Sequence, residues 1–226
     1  SLYQTIGVIV SFFLNVTPTN RKYGNALLFL AFLALAVTLV FFVFQGIALY
    51  CMAKKRGIRH RWLAFIPFAN VMLMGRLAGE VTFFGQKIKR AGLYAMIVRV
   101  IVTAIVFSYV AAEIYLHQSG CIGYEAVDGT LERYRYYFAT GTRFQRSLFR
   151  YYDGVANLLY LIFGLIGEVL MLVLLCALFR QYAPERYMLL TVLTVFIPLS
   201  RYVILFVLRN RRAVDYRAYM RTKYEE

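Results

Sequence analysis

Three stretches of this chain are too long and too apolar for the interior of a small soluble domain: residues 26–52, 91–117 and 154–180. A helix needs about 20 predominantly apolar residues to cross a hydrocarbon core of about 30 Å, and each stretch exceeds that. At 1.5 Å per residue the first would be about 40 Å long, so it tilts or emerges among the headgroups. The expected fold class is therefore all-α, a polytopic membrane protein. Composition agrees, since 61% of the 226 residues are hydrophobic and only 16% are charged.

Two further apolar segments carry a proline in the middle. In RHRWLAFIPFANVMLMGRLAGE (59–80), Pro67 removes a backbone donor and disfavours helical geometry at Ile66. Asn70 suits the cap of a new helix over 71–79, which would be about 13 Å long, half the hydrocarbon depth. Residues 188–208 are interrupted in the same way by Pro198, with Ser200 as the polar cap and Arg201 opening the returning half-helix.

Counting Lys and Arg tests whether these segments cross. Three spans with both segments turning back put 17 basic residues inside and 7 outside; five spans put 16 inside and 8 outside. The count does not separate the two. Local charge does, because 59–80 is basic on both flanks, and crossing would strand Arg76, Lys87, Lys89 and Arg90 outside. The expectation is three full transmembrane helices plus two proline-broken re-entrant segments, with five spans as the alternative. Unpaired backbone in lipid is costly, so neighbouring helices must wrap each break or a wet cavity must line it.

The chain then divides into an N-terminal interfacial segment (1–24), a span with its re-entrant hairpin (25–90) and a second span (91–117). An extracytoplasmic aromatic and basic loop (118–153), a third span with a second hairpin (154–212) and a charged cytoplasmic tail (213–226) complete it. The N-terminus falls outside and the C-terminus in the cytoplasm. Residues 2–16 are too short to span and read as a helix lying on the surface, without the basic start of a secretory signal. Asn15-Val16-Thr17 matches a glycosylation sequon.

The same order of features occurs twice. A long span ending Ala48-Leu49-Tyr50 leads through a basic turn to Trp62-Leu63-Ala64-Phe65-Ile66-Pro67; a span ending Ala177-Leu178-Phe179-Arg180 leads through a turn to Phe196-Ile197-Pro198-Leu199-Ser200. Duplicated units with broken helices near the midplane are a transporter device. The stretch GIALYCMAKKRGIRHRWLAFIPFANVMLMGRLAG resembles small bacterial membrane proteins with a W-L-A-x-I-P-x-x-N-x-x-x-L-G pattern after a basic turn, with Met74 where that pattern has Leu. ALFRQYAPERYMLLTVLTVFIPLSRYVILFVLRNRR is similar to the closing hairpin of the same proteins. The resemblance covers under half the chain, and the long aromatic segment 118–153 departs from it. It implies a multi-pass protein of a bacterial cell membrane and no particular chemistry.

Glu168 stands near the middle of the third span, where an ionised group costs about 2.5–3.5 kcal/mol or more. Gly164 and Gly167 beside it permit close approach of another helix. Its candidate partners are Arg99 and Arg201, as a structural ion pair or as an ion or substrate pathway. In ERYRYYFATGTRFQRSLFRYY, Phe144, Leu148 and Tyr151 share one helical face, with Arg143, Arg146 and Arg150 opposite, the pattern of a helix resting on the bilayer. Trp62 reads as an interfacial anchor.

Cys51, Cys121 and Cys176 form no disulfide framework or zinc spacing, and His60 and His117 have no partners at ligand spacing. No nucleophile–base set or phosphate loop emerges, so no catalytic residue, metal or cofactor is expected. The net charge of +15 lies in clusters beside apolar runs, which points to anionic lipid headgroups rather than nucleic acid. The expected role is a non-enzymatic accessory or scaffold subunit packing against other membrane proteins. The alternative is a small transporter or channel with its site at the two broken helices around Glu168.

Overall fold

The computed structural model describes residues 24–79, 81–83, 86–126, 134–197 and 199–225. The expected surface helix at 2–16, the sequon at Asn15 and the break at Pro198 lie outside the described residues. The described chain is mostly helical. Three of its helical stretches are long and apolar enough to cross a membrane: Phe32–Lys55, Ala91–Leu116 and Arg143–Tyr182, whose most apolar 18-residue segments have mean hydropathies of 2.5, 2.2 and 2.7. The protein is therefore membrane-embedded by the length and chemistry of these helices.

Helix α1 (Gly24–Lys55) contains no proline and ends on Lys54 and Lys55, cations that suit the negative end of a helix dipole. Its end is closed by Gly57, whose φ of 68° is natural only for glycine. Gly57 N–H donates to Lys54 O and Ile58 N–H to Ala53 O, the paired bonds of a Schellman motif. A 3-10 turn (Arg61–Phe65) follows, and Ile66 is extended, as the residue before Pro67 should be.

The reversal after Pro67 is sharp. Phe68 adopts φ 67°, ψ −46°, and Ala69 N–H donates to Pro67 O at 2.8 Å, a γ-turn with a non-glycine residue at its centre. Helix α2 (Ala69–Ala78) starts at once, with Phe68 as its N-cap residue. Asn70, expected as the cap, is instead the second helical residue. The γ-turn brings the chain into helix two residues early, and the Asn70 side chain is buried.

Strands β1 (Val81–Phe83) and β2 (Gln86–Ile88) pair antiparallel, Val81 opposite Ile88. Helix α3 (Ala91–Gln118) carries the second apolar stretch. Strands β3 (Ile122–Ala126) and β4 (Tyr134–Phe138) form a second antiparallel pair, Ile122 opposite Phe138. Helix α4 (Arg143–Arg150) begins with a capping box: Thr142 Oγ1 accepts from Gln145 N–H, while Gln145 Oε1 accepts from Thr142 N–H. It passes through a π-helical turn (Tyr151–Val155) directly into helix α5 (Ala156–Tyr182). Residues 143–150 are thus not set off as a separate helix. They extend the third helical stretch to 40 residues.

Helix α6 (Tyr187–Phe196), helix α7 (Ser200–Leu208) and helix α8 (Tyr216–Glu225) complete the chain. The chain falls into two compact units. One comprises the described part of Ser1–Thr38 with Ile101–Phe163, and its small core gathers Ala112, Leu116, Cys121 and Tyr152. The other comprises Leu39–Val100 with Gly164–Glu226, and its larger core includes Leu49, Met52, Leu73, Met74, Leu77, Leu174, Leu178, Phe179 and Leu205.

Within the larger unit the ends of each proline-containing segment meet. Arg56, at the end of α1, donates to Leu77 O near the end of α2. Val214 N–H, after α7, donates to Gln181 O, before α6, at 2.8 Å, and the Tyr187 and Tyr216 rings lie 5.7 Å apart. Between those ends, Phe65 packs on Tyr50, and Tyr202 and Phe206 on Phe41 and Phe44 of α1. The exits are tied crosswise: Gln181 of α5 donates to Ala78 O at the end of α2, and Lys55 of α1 donates to Asn210 O just after α7. α2 meets α3 at a glycine pair, Gly75 against Gly92, with no side chain between the backbones.

Candidate functional site

Helices α3, α5 and α7 bring together the three ionisable residues expected inside the apolar stretches. Arg201 Nη1 lies 3.7 Å from Glu168 Oε2, and Arg99 is close enough to feel the charge of both. Arg201 follows the break between α6 and α7, where its cation faces the positive end of a helix dipole; the Glu168 carboxylate offsets that. Arg201 also stacks on Tyr202 at 5.0 Å. Two guanidiniums and one carboxylate leave the group with excess positive charge.

The Glu168 side chain is 57% exposed. Leu165 (67%) and Val169 (40%) beside it are also exposed, so the carboxylate sits in an apolar outer surface. The two neighbouring glycines differ. A Cβ on Gly164 would meet no atom within 4 Å, whereas one on Gly167 would touch Val98 of α3 at 3.4 Å. Gly164, one turn before Glu168, is the one open to a neighbour; Gly167 serves packing within the unit.

The break residues act differently from their expected capping roles. Ser200 is the first residue of α7, after Leu199 as N-cap. Its Oγ donates to Leu193 O at 3.2 Å, a second bond to a carbonyl that already accepts from Ile197 N–H at 2.9 Å, and so ties the start of α7 to the end of α6. Asn70 Oδ1 is buried with no hydrogen-bond partner among the described residues. Trp62 is 55% exposed, and its neighbour Arg61 stacks on Tyr50 at 5.6 Å. Arg143, Arg146 and Arg150 are exposed, and Arg146 lies over the Phe138 ring at 5.5 Å.

Two groupings were not legible in the sequence. In the smaller unit, Glu113 is fully buried and accepts from Tyr152 OH at 3.4 Å, while Tyr152 stacks on Tyr109 at 4.8 Å. The four-residue spacing of Tyr109 and Glu113 places them on one face of α3, a signal that could have been read; Tyr152 comes from a distant segment. In the larger unit, a cavity of about 950 Å³ opens where α1 and α5 end, lined by Lys55, Arg56, Arg180, Tyr182, Arg212 and Tyr216 among others. Burial, followed by a hydrogen bond and negative potential from Tyr187, pushes the Tyr216 phenol above its ordinary range. Among the described residues no group of three or more His, Cys, Asp or Glu side chains could hold a metal ion.

The chain matches no family model, no curated protein and no solved structure.

Proposed function

We propose that this protein is an integral membrane accessory or scaffold subunit without enzymatic activity, built to pack against other membrane proteins. In this arrangement α1, α3 and α5 cross the bilayer, while residues 59–80 and 188–208 enter it and return. The N-terminus lies outside and the C-terminus in the cytoplasm of a bacterial cell. Meeting ends of each proline-containing segment support the re-entrant geometry, because a full crossing would part them by about 30 Å. The crosswise ties of Gln181 and Lys55 support an internal repeat, since each span fastens the exit of the hairpin that follows the other span.

The observation that carries the scaffold role is the exposed carboxylate of Glu168 on an apolar face, beside the open surface at Gly164. Lipid tails offer such a group no hydrogen bond; a neighbouring transmembrane helix with a polar donor does, and a glycine lets it approach. A photoreactive side chain at Leu165, activated in native membranes, tests this directly. A discrete protein adduct is expected, and adducts with lipid alone refute the role.

The clustering of Glu168, Arg99 and Arg201 beside a helix break favours a second reading, a small transporter or channel with its site there. Under it, Glu168→Gln alters solute or ion flux in liposomes. Unchanged flux, or none in the parent protein, removes it.

A further inference from the structure

We propose that the cavity at the ends of α1 and α5 is a binding site for a phosphate group, carried by a lipid headgroup or free in solution. Its wall holds four cationic side chains, Lys55, Arg56, Arg180 and Arg212, against one carboxylate, Asp215. Several of these cations are already positioned by neutral groups. Lys55 Nζ donates to Asn210 O, Arg56 donates to Leu77 O and Gln181 Oε1, and Arg180 lies over the Tyr216 ring at 4.9 Å. Carbonyls and rings orient a cation without cancelling its charge, so the concave wall keeps a positive field.

Two donors in this wall call for an acceptor. The Tyr182 side chain is 2% exposed, yet neither its hydroxyl nor Arg180 Nε has a hydrogen-bond partner among the described residues. A buried donor without an acceptor is disfavoured, and a phosphate supplies several oxygens at once to guanidinium, ammonium and phenol. The place suits the ligand. Where apolar helices end, headgroup phosphates begin, and Ala213 and Val214 give the cavity an apolar side as well.

The test uses the full chain, independently of any partner protein. Purified protein from nanodiscs of equal phosphatidylglycerol and phosphatidylcholine is released into native mass spectrometry to count retained lipid; melting is followed in parallel with added inorganic phosphate. Tyr182→Phe deletes only the hydroxyl, and Arg212→Gln removes one exposed charge, so the second variant carries the test should the first misfold. The parent should retain phosphatidylglycerol selectively, each variant about tenfold less, for a lost charge-assisted contact. Selective lipid retention with no phosphate effect assigns the site to a headgroup. Stabilisation by millimolar phosphate that the variants lose assigns it to the free anion. Equal retention of both lipids with no phosphate effect, or variants indistinguishable from the parent, overturns the proposal.

Discussion

The contact between Gly75 and Gly92 leaves less room for a Cβ than any other described glycine does, and it makes a quantitative prediction. A Cβ built on Gly75 would lie 2.3 Å from Gly92 Cα and 2.6 Å from its nitrogen. Ordinary contact begins at 3.4 Å, and the opposing atoms are backbone, which has no rotamer to yield. Gly75→Ala must therefore push α2 away from α3 by about 1 Å, a gap that forfeits a quarter to a half of each dispersion contact. Overpacking of this kind costs about 1–3 kcal/mol, here toward the upper end. Alanine's better helix propensity returns about 1 kcal/mol. A net loss of about 1–2 kcal/mol remains, or a fall of about 2–8 °C in Tm for a chain of this size.

The assay is a thermal melt of purified protein in detergent, with Gly164→Ala as the matched control. That substitution has the same chemistry and propensity gain, but its Cβ meets nothing within 4 Å. Its Tm should hold or rise slightly. Gly92→Ala should also lower Tm, since its Cβ falls 2.7 Å from Gly75 Cα and 3.0 Å from Met72 O. The double variant should fall by less than the two single losses together, because one separation relieves both clashes. Equal melting of Gly75→Ala and Gly164→Ala would refute the close packing of α2 on α3.

Cysteines placed at Arg59, Lys87 and Arg211 should all label from one face of intact membrane vesicles, and one at Ser119 only from the other; labelling of 59 and 87 from opposite faces means that residues 59–80 cross. For the ion pair, Glu168→Gln leaves Arg99 and Arg201 without their carboxylate and should destabilise more than Arg201→Gln. A double-mutant cycle on Tm should return a coupling of about 0.5–3 kcal/mol, and additivity would dismiss the pair as incidental. Thr142→Ala breaks the capping box and should cost about 1 kcal/mol, seen as faster amide exchange over 143–150 with the rest unchanged; uniform exchange across the chain would count against a local cap.

The three long helices were legible because a sustained apolar run has few folded alternatives, and α1, α3 and α5 lie over the stretches that hydropathy marked. The juxtaposition of Glu168 with Arg99 and Arg201 could be anticipated for an energetic reason: a charge in an apolar setting has few candidate partners. Capping was read less well. Asn70 has the chemistry of a cap, but helix entry after Pro67 is set by a γ-turn at Phe68, a conformation that no propensity assigns to phenylalanine. Ser200 was expected to cap α7 and is instead its first residue, with its hydroxyl reaching back to Leu193 O across the break. The amphipathic pattern of Phe144, Leu148 and Arg146 was real, but periodicity says nothing of where a helix stops, and this one runs on through Tyr151–Val155.

The basic clusters carry the deeper lesson. Counting treats Lys55, Arg56, Arg180 and Arg212 as interchangeable charges in a topology sum, and any arrangement on one side would give the same total. Their convergence depends on which backbone groups the broken segments leave exposed at their exits. α2 ends with Leu77 and Ala78 carbonyls that no further helical turn satisfies, and the chain after α7 leaves Asn210 O free in the same way. Arg56, Gln181 and Lys55 satisfy these groups. Closing the hairpins thus draws the ends of α1 and α5 together, and with them the cations, into one wall. The geometry of the hairpin exits, rather than the charge total, is what concentrates a field where a phosphate can lie.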